Sequence, residues 1–273
     1  MKKNLLPLLA VIGGLAGFSL RLLQNLTGFE GMTGLPVRGA FINTLLPLFL
    51  VILFVILILF SRNLPQRCPL QFPIGFQTDN LLLLSFAIGG IFLMGISGAL
   101  ELASSFTGSL LIPNPDGLVY AISPRDLMSM RIGGMLSVFT AVSLFPAVAA
   151  CRKTEGSSHP AINSSLLLIP TVCMVVRLVL CYRSHSINPV LASYYVELLA
   201  LLFLCLGFYR LSSFAFCQGN PRIYALYSAV SVVLALVNLA DGITPSSLLC
   251  LGGALTLLSL FEMQSQESQT FES

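Results

Sequence analysis

Eight long apolar runs constrain this chain more than any other feature of its sequence. Short segments rich in charge, proline, glycine and asparagine separate the runs, which lie at about 5–23, 41–60, 80–104, 128–150, 164–182, 190–210, 222–240 and 245–262. A helix of roughly 20 apolar residues spans the ~30 Å hydrocarbon core of a bilayer. The sequence therefore predicts an all-α, polytopic bundle of about eight transmembrane helices.

The scarcity of charge leaves no room for a soluble domain. Only 9% of the residues are charged and 56% are hydrophobic, whereas soluble domains carry about 25% charged residues. We expect a single transmembrane bundle over residues 1–262, with the lipid bilayer as its main partner. Residues 263–273, rich in Glu, Ser and Gln, predict a short disordered cytoplasmic tail. Six or seven spans remain an alternative, because Asp241–Pro245 leaves only a tight turn between the last two runs.

The distribution of Lys and Arg predicts the orientation. Eight basic residues fall on the side of the N-terminus and three on the other: Lys2, Lys3, Arg62, Arg67, Arg152, Lys153, Arg210 and Arg222 against Arg38, Arg125 and Arg183. Because cytoplasmic loops carry the excess of positive charge, both termini are expected in the cytoplasm of a multi-pass protein of the cytoplasmic membrane. The basic residues form no helix face or cluster, so no nucleic-acid partner is expected.

Six ionisable residues lie inside the predicted spans, where each costs roughly 2.5–3.5 kcal/mol at a helix centre. They are Arg21, Glu101, Arg131, Arg177, Glu197 and Asp241. Outward-running helices carry their charge late and inward-running helices carry it early. All six are therefore predicted to share one layer in the outer part of the membrane.

Arg177 and Glu197 are the predicted ion pair of this layer. The connection between the fifth and sixth spans is short, so these two helices should be antiparallel neighbours. Arg177 lies five residues before the end of one predicted span and Glu197 seven after the start of the next, at depths of about 8 and 10 Å.

Two interpretations of the layer remain open. In the first, the six charges line an outward-facing vestibule that binds or transports a small polar or anionic molecule, since arginine suits bidentate recognition of carboxylate and phosphate. In the second, the charges pair with one another and only fix the packing of a membrane scaffold or accessory subunit.

The motifs that carry membrane enzymology are not found. The two histidines, His159 and His185, are assigned to loops, and the seven cysteines contain no CxxC pair and no cluster with histidine. HExxH, Walker A and dinucleotide-binding sequences are absent. We therefore predict no cofactor, metal site or catalytic residue, and an enzyme is not favoured. Glycine pairs at 13/14, 89/90, 133/134 and 252/253 are interpreted as sites of close helix packing.

The segment Tyr182-Arg183-Ser184-His185-Ser186-Ile187-Asn188-Pro189-Val190-Leu191, and a first helix rich in Leu that contains Gly13-Gly14 and ends in Arg21, resemble a group of uncharacterised bacterial integral-membrane proteins. The resemblance covers most of the chain. It implies a bacterial inner-membrane location and lends no activity, substrate or residue role.

Overall fold

The computed structural model describes residues 5–30, 35–64, 72–108, 124–153, 164–185 and 194–270. These residues form eight long α-helices and no strand. The helices are α1 (Leu5–Thr27), α2 (Ile42–Ser61), α3 (Leu81–Thr107), α4 (Pro124–Ala149), α5 (Leu168–His185), α6 (Tyr195–Ala215), α7 (Pro221–Leu239) and α8 (Pro245–Thr270). All eight are long and apolar enough to cross a membrane, which confirms the predicted all-α bundle and its eight spans.

Helices α7 and α8 form the centre of the bundle. Of their most apolar stretches, 67% is buried against other helices, whereas for α2 the share is 22%. Large apolar side chains such as Val51, Ile52 and Val55 of α2 are exposed. An apolar surface of this kind is stable when lipid is the solvent, so α2 lies at the periphery with its side chains toward the bilayer.

Reciprocal glycine contacts hold α3 against its two main neighbours. A Cβ on Gly90 would lie 2.6 Å from the carbonyl oxygen of Gly252 in α8, and a Cβ on Gly252 would lie 2.5 Å from that of Gly90. Gly98 and Gly134 make the same kind of contact between α3 and α4, at 2.7 and 2.8 Å. The predicted close packing is thus confirmed at these glycines, because only residues without a Cβ allow two helix backbones to approach so far.

Several helix borders differ from the prediction, among them those of α5, α6 and α8. Helix α5 continues to His185 and α6 begins only at Tyr195, so their facing ends are shifted relative to the apolar runs. Helix α8 continues to Thr270, and Met263 and Gln264 are buried. Residues 263–270 of the expected tail thus belong to α8, because Met, Gln and Glu are good helix formers that continue a helix past its apolar part. Residues 271–273 lie outside the described residues.

Adjacent glycines of α3 provide a matched test of the α3–α8 contact. Gly90→Ala should lower the free energy of unfolding by about 1–3 kcal/mol, the usual cost of overpacking, because the new methyl group meets the α8 backbone. Gly89 has no atom within 4 Å of the corresponding position, so Gly89→Ala should change stability little. Thermal unfolding of both purified variants in detergent measures the difference; equal losses would contradict the contact.

Candidate functional site

The six intramembrane charges lie at one end of the bundle, which we name the charged end. Arg21 and Glu101 lie six residues before the ends of α1 and α3, and Arg177 lies eight before the end of α5. Arg131 and Glu197 lie seven and two residues after the starts of α4 and α6. Asp241 follows α7 directly and lies in the turn to α8. They do not form one continuous layer. The structure divides them into an Arg21–Asp241 pair, a separate Arg131, and a group around Arg177.

Arg21 and Asp241 form a bidentate ion pair in which the arginine is buried and the aspartate is partly exposed. Nε of Arg21 donates to Oδ1 of Asp241 at 2.7 Å and Nη2 donates to Oδ2 at 3.1 Å. Nη1 donates to Gln24 at 2.8 Å, and Asn25 donates to the same aspartate at 2.9 Å. The guanidinium also lies 5.6 Å from the centre of the Tyr195 ring. Charge-assisted bonds of this kind are among the strongest in proteins, so this pair ties α1 to the α7–α8 turn.

Arg131 lies apart from both groups. Its side chain is exposed, its guanidinium lies 5.4 Å from the centre of the Phe106 ring, and Nη2 makes a long contact of 3.4 Å with the carbonyl oxygen of Ser105. Arg131 was predicted to line the same site as the other five charges. The structure instead places it on the outer face of α4, where the long side chain keeps its charge at the bundle surface.

Arg177 pairs with Glu101, and the predicted pair with Glu197 is wrong. Nη1 of Arg177 donates to the two carboxylate oxygens at 2.7 and 2.5 Å. The reason lies in the helix borders: Arg177 is eight residues before the end of α5 and Glu197 only two after the start of α6, which corresponds to depths of about 12 and 3 Å. Glu101, six residues before the end of α3, lies at about 9 Å and matches Arg177 far better.

Gly133 of α4 leaves the space that the contact between Arg177 and Glu101 occupies. Helix α4 packs against both α3 and α5, so the pair has to pass its surface. A Cβ on Gly133 would lie 2.5 Å from Nη1 of Arg177 and 3.2 Å from Oε2 of Glu101. Any larger residue at 133 would therefore push the guanidinium away from the carboxylate.

A cavity of about 200 Å³ adjoins this ion pair. Its polar lining consists of Glu101, Ser129, Arg177, Cys181, Ser184, His185, Glu197 and Ser246. The Arg177 side chain is 91% buried. Its Nη2 is also buried and has no hydrogen-bond partner among the described residues. The Glu197 carboxylate accepts a 2.5 Å hydrogen bond from Oγ of Ser246. The cavity is thus lined by an arginine with one unpaired guanidinium nitrogen and by the carboxylate of Glu197.

Cys181 and His185 are cavity residues that the sequence reasoning missed. Sγ of Cys181 and Nδ1 of His185 are 3.7 Å apart. The Cys181 sulfur, a ring nitrogen of His185 and a carboxylate oxygen of Glu197 all lie within 4.8 Å of one another. His185 had been assigned to a loop, but it is the last residue of α5. The available signal was the spacing: residues four apart on a helix lie one above the other.

No known protein family, curated protein or solved structure matches this chain. The function therefore has to be inferred from the chemistry of the charged end. The bacterial inner-membrane location stays a prediction.

A double-mutant cycle tests the reassigned ion pair. Arg177→Gln and Glu101→Gln should each lower the free energy of unfolding by about 3–5 kcal/mol, because each leaves one buried charge without its partner. The double variant should lose less than the sum, since no charge is then stranded. Thermal and denaturant unfolding in detergent give the four values. Compensation of Arg177→Gln by Glu197→Gln instead of Glu101→Gln would contradict the assignment.

Proposed function

We propose that this chain is a multi-pass membrane protein that binds a small polar molecule in the cavity between Arg177 and Glu197. The observation that carries the proposal concerns Arg177, which lines the cavity and whose Nη2 is buried with no hydrogen-bond partner among the described residues. A buried polar group without a partner costs several kcal/mol in a lipid-solvated interior. A donor held in that state beside a cavity is satisfied when a ligand supplies the acceptor.

The charges of the wall favour a ligand with both an acceptor and a donor group. Arg177 contributes one positive charge, and Glu101 and Glu197 contribute two negative charges, so a bare anion would meet net repulsion. A molecule with a carboxylate or carbonyl oxygen toward Arg177 and an amine or hydroxyl toward Glu197 satisfies both. The expectation of an anionic ligand depended on three guanidiniums in the site. Of these three, only that of Arg177 belongs to a residue that lines the cavity, so a ligand that also carries a donor group is favoured over a simple anion.

The size of the cavity favours a compact ligand. Its volume of about 200 Å³ is below the roughly 300–1,000 Å³ of pockets that hold drug-sized molecules. An amino-acid-sized or smaller molecule fits these limits. Transport is the wider form of the proposal, and it requires the bundle to open beyond Leu201, which lines the cavity and is otherwise buried.

The distribution of basic residues supports the proposed orientation. With both termini in the cytoplasm of a cytoplasmic-membrane protein, the charged end faces outward and the cavity is reached from outside the cell. A membrane scaffold or accessory subunit is the second candidate function. Two pairs, Arg21–Asp241 and Arg177–Glu101, favour it because they account for four of the six charges without any ligand.

A ligand screen by thermal unfolding separates the two functions. Purified protein in detergent is heated with zwitterionic amino acids, simple carboxylates, phosphates and amines in turn. A ligand at 100 times its Kd should raise stability by about 2.7 kcal/mol, and zwitterions should give the largest increase. An absence of stabilisation by every class would favour the scaffold.

Variants at Glu197 and Arg131 locate the binding. Glu197→Gln keeps the Arg177–Glu101 pair and should abolish most of the stabilisation by the ligand. Arg131→Gln removes a charge from the same end of the bundle but outside the cavity, and should leave the stabilisation unchanged. Equal effects of the two substitutions would contradict binding in this cavity.

A further inference from the structure

We infer that Cys181, His185 and Glu197 form a binding site for a divalent transition-metal ion of the Zn²⁺ type in the wall of the cavity. The three side chains offer a sulfur, an imidazole nitrogen and a carboxylate oxygen, which all lie within 4.8 Å of one another. This inference does not depend on the organic ligand proposed above. It concerns a different occupant, which shares only Glu197 with the contacts proposed for the organic ligand.

The distances are close to those of a tetrahedral site. Zn–S bonds of about 2.3 Å and Zn–N or Zn–O bonds of about 2.0–2.2 Å place neighbouring ligand atoms roughly 3.3–3.6 Å apart. Sγ of Cys181 and Nδ1 of His185, at 3.7 Å, already have this separation. Because the three ligand atoms lie within 4.8 Å of one another, the Glu197 oxygen has to move by roughly 1.2–1.5 Å at most to reach these separations.

The three ligands project from two helices that pack against each other, α5 and α6. Cys181 and His185 are four residues apart on α5, so they project from the same face one turn apart. Glu197 comes from the first turn of α6, which packs along α5. Oγ of Ser246 in α8 donates to Oε1 of Glu197 at 2.5 Å. Outer hydrogen bonds of this kind orient a metal-binding carboxylate.

The charges of the three ligands suit a divalent ion. A cysteine thiolate and a glutamate carboxylate carry one negative charge each, and together with a neutral histidine they neutralise a 2+ ion in a low-dielectric wall. Cysteine and histidine select zinc-like ions over magnesium and calcium, which prefer oxygen ligands. Three protein ligands leave a fourth position, and because all three residues line the cavity, water or a bound molecule can occupy it.

His185 has one competing interaction. Its Nδ1 lies 3.0 Å from the carbonyl oxygen of Cys181 and 3.2 Å from Oγ of Ser184, and the ring stacks on Tyr194 at 5.0 Å. With its proton on Nδ1 the ring donates to that carbonyl and caps the end of α5. Metal binding requires the tautomer with the proton on Nε2, so the ion and the cap exclude each other.

Cobalt provides the test because its spectrum reports the ligands. The full-length protein is purified in detergent, treated with a chelator, and titrated with Co²⁺. We expect one equivalent to bind with a thiolate-to-cobalt charge-transfer band and the visible bands of four-coordinate cobalt, and Zn²⁺ to displace it. Cys181→Ser should abolish the charge-transfer band. His185→Gln and Glu197→Gln should each weaken Co²⁺ binding by more than about 10-fold. A loss of about 10-fold already follows when only an outer-shell partner of a metal ligand is removed.

Two controls separate the proposed ligands from adventitious thiols and imidazoles. Cys173→Ser changes a cysteine of the same helix that does not line the cavity, and His159→Gln changes the other histidine of the chain. Both should bind Co²⁺ like the parent protein. Absence of the charge-transfer band in the parent, or equal losses in Cys173→Ser and Cys181→Ser, would overturn the inference.

The two proposals fail independently. Cys181→Ser and His185→Gln leave both ion pairs intact, so both variants should still fold without metal; His185→Gln loses only the contacts of the ring with the Cys181 carbonyl and with Tyr194. The ligand screen on chelator-treated protein reports the organic ligand alone, whereas the cobalt titration without organic ligand reports the metal alone. A metal-binding protein without an organic ligand, or the reverse, is thus recognised directly.

Discussion

A guanidinium inside a lipid-solvated bundle persists only where other groups take up its charge and its N–H donors. At Arg177 the charge and the Nη1 donor are taken up by Glu101, which reaches it from α3 past the surface of α4, whereas Nη2 has no partner among the described residues. The arrangement of three helices therefore depends on Gly133, whose missing side chain leaves space for the contact. The backbone contact between Gly98 and Gly134 brings α3 and α4 close enough for the carboxylate to span the remaining gap. Packing and electrostatics are coupled here, because the small residues that join the helices also create the path for the charge.

Hydropathy predicted the fold well because lipid solvation acts on every span in the same way. All eight apolar runs became helices, including the two separated by the tight turn at Asp241. The predicted helix borders differ from the structure where a helix continues beyond its apolar residues. Tyr182–His185 and the residues after Glu262 are polar yet helical, since a helix can continue into water when its residues favour it. Hydropathy measures the solvent around a segment, whereas the helix end depends on local propensity and packing.

Three of the six predicted site residues, Glu101, Arg177 and Glu197, line the cavity, but the ion-pair partners among them were not predictable. A shift of three to five residues at the facing ends of α5 and α6 places Arg177 and Glu197 about 9 Å apart in depth, which was enough to exchange Glu197 for Glu101. The tertiary arrangement decides which helix packs on the other faces of α5, and the periodicity of the sequence does not specify it. Cys181 and His185 show the opposite case. Their one-turn spacing was visible in the sequence, but it had meaning only once His185 belonged to the helix.

The separation of the ionic partners along the chain has a consequence for biosynthesis. Glu101 and Arg177 are 76 residues apart, and Arg21 and Asp241 are 220 apart. At translation rates of roughly 5–20 residues per second, the first of each couple waits about 4–15 s and about 11–44 s for its counterpart to emerge from the ribosome. Arg21 lies six residues from the end of α1, or about 9 Å, so its long side chain can extend to the headgroup region during that interval. Location near a helix terminus thus allows the nascent first span to enter the bilayer long before its permanent counter-ion has been made.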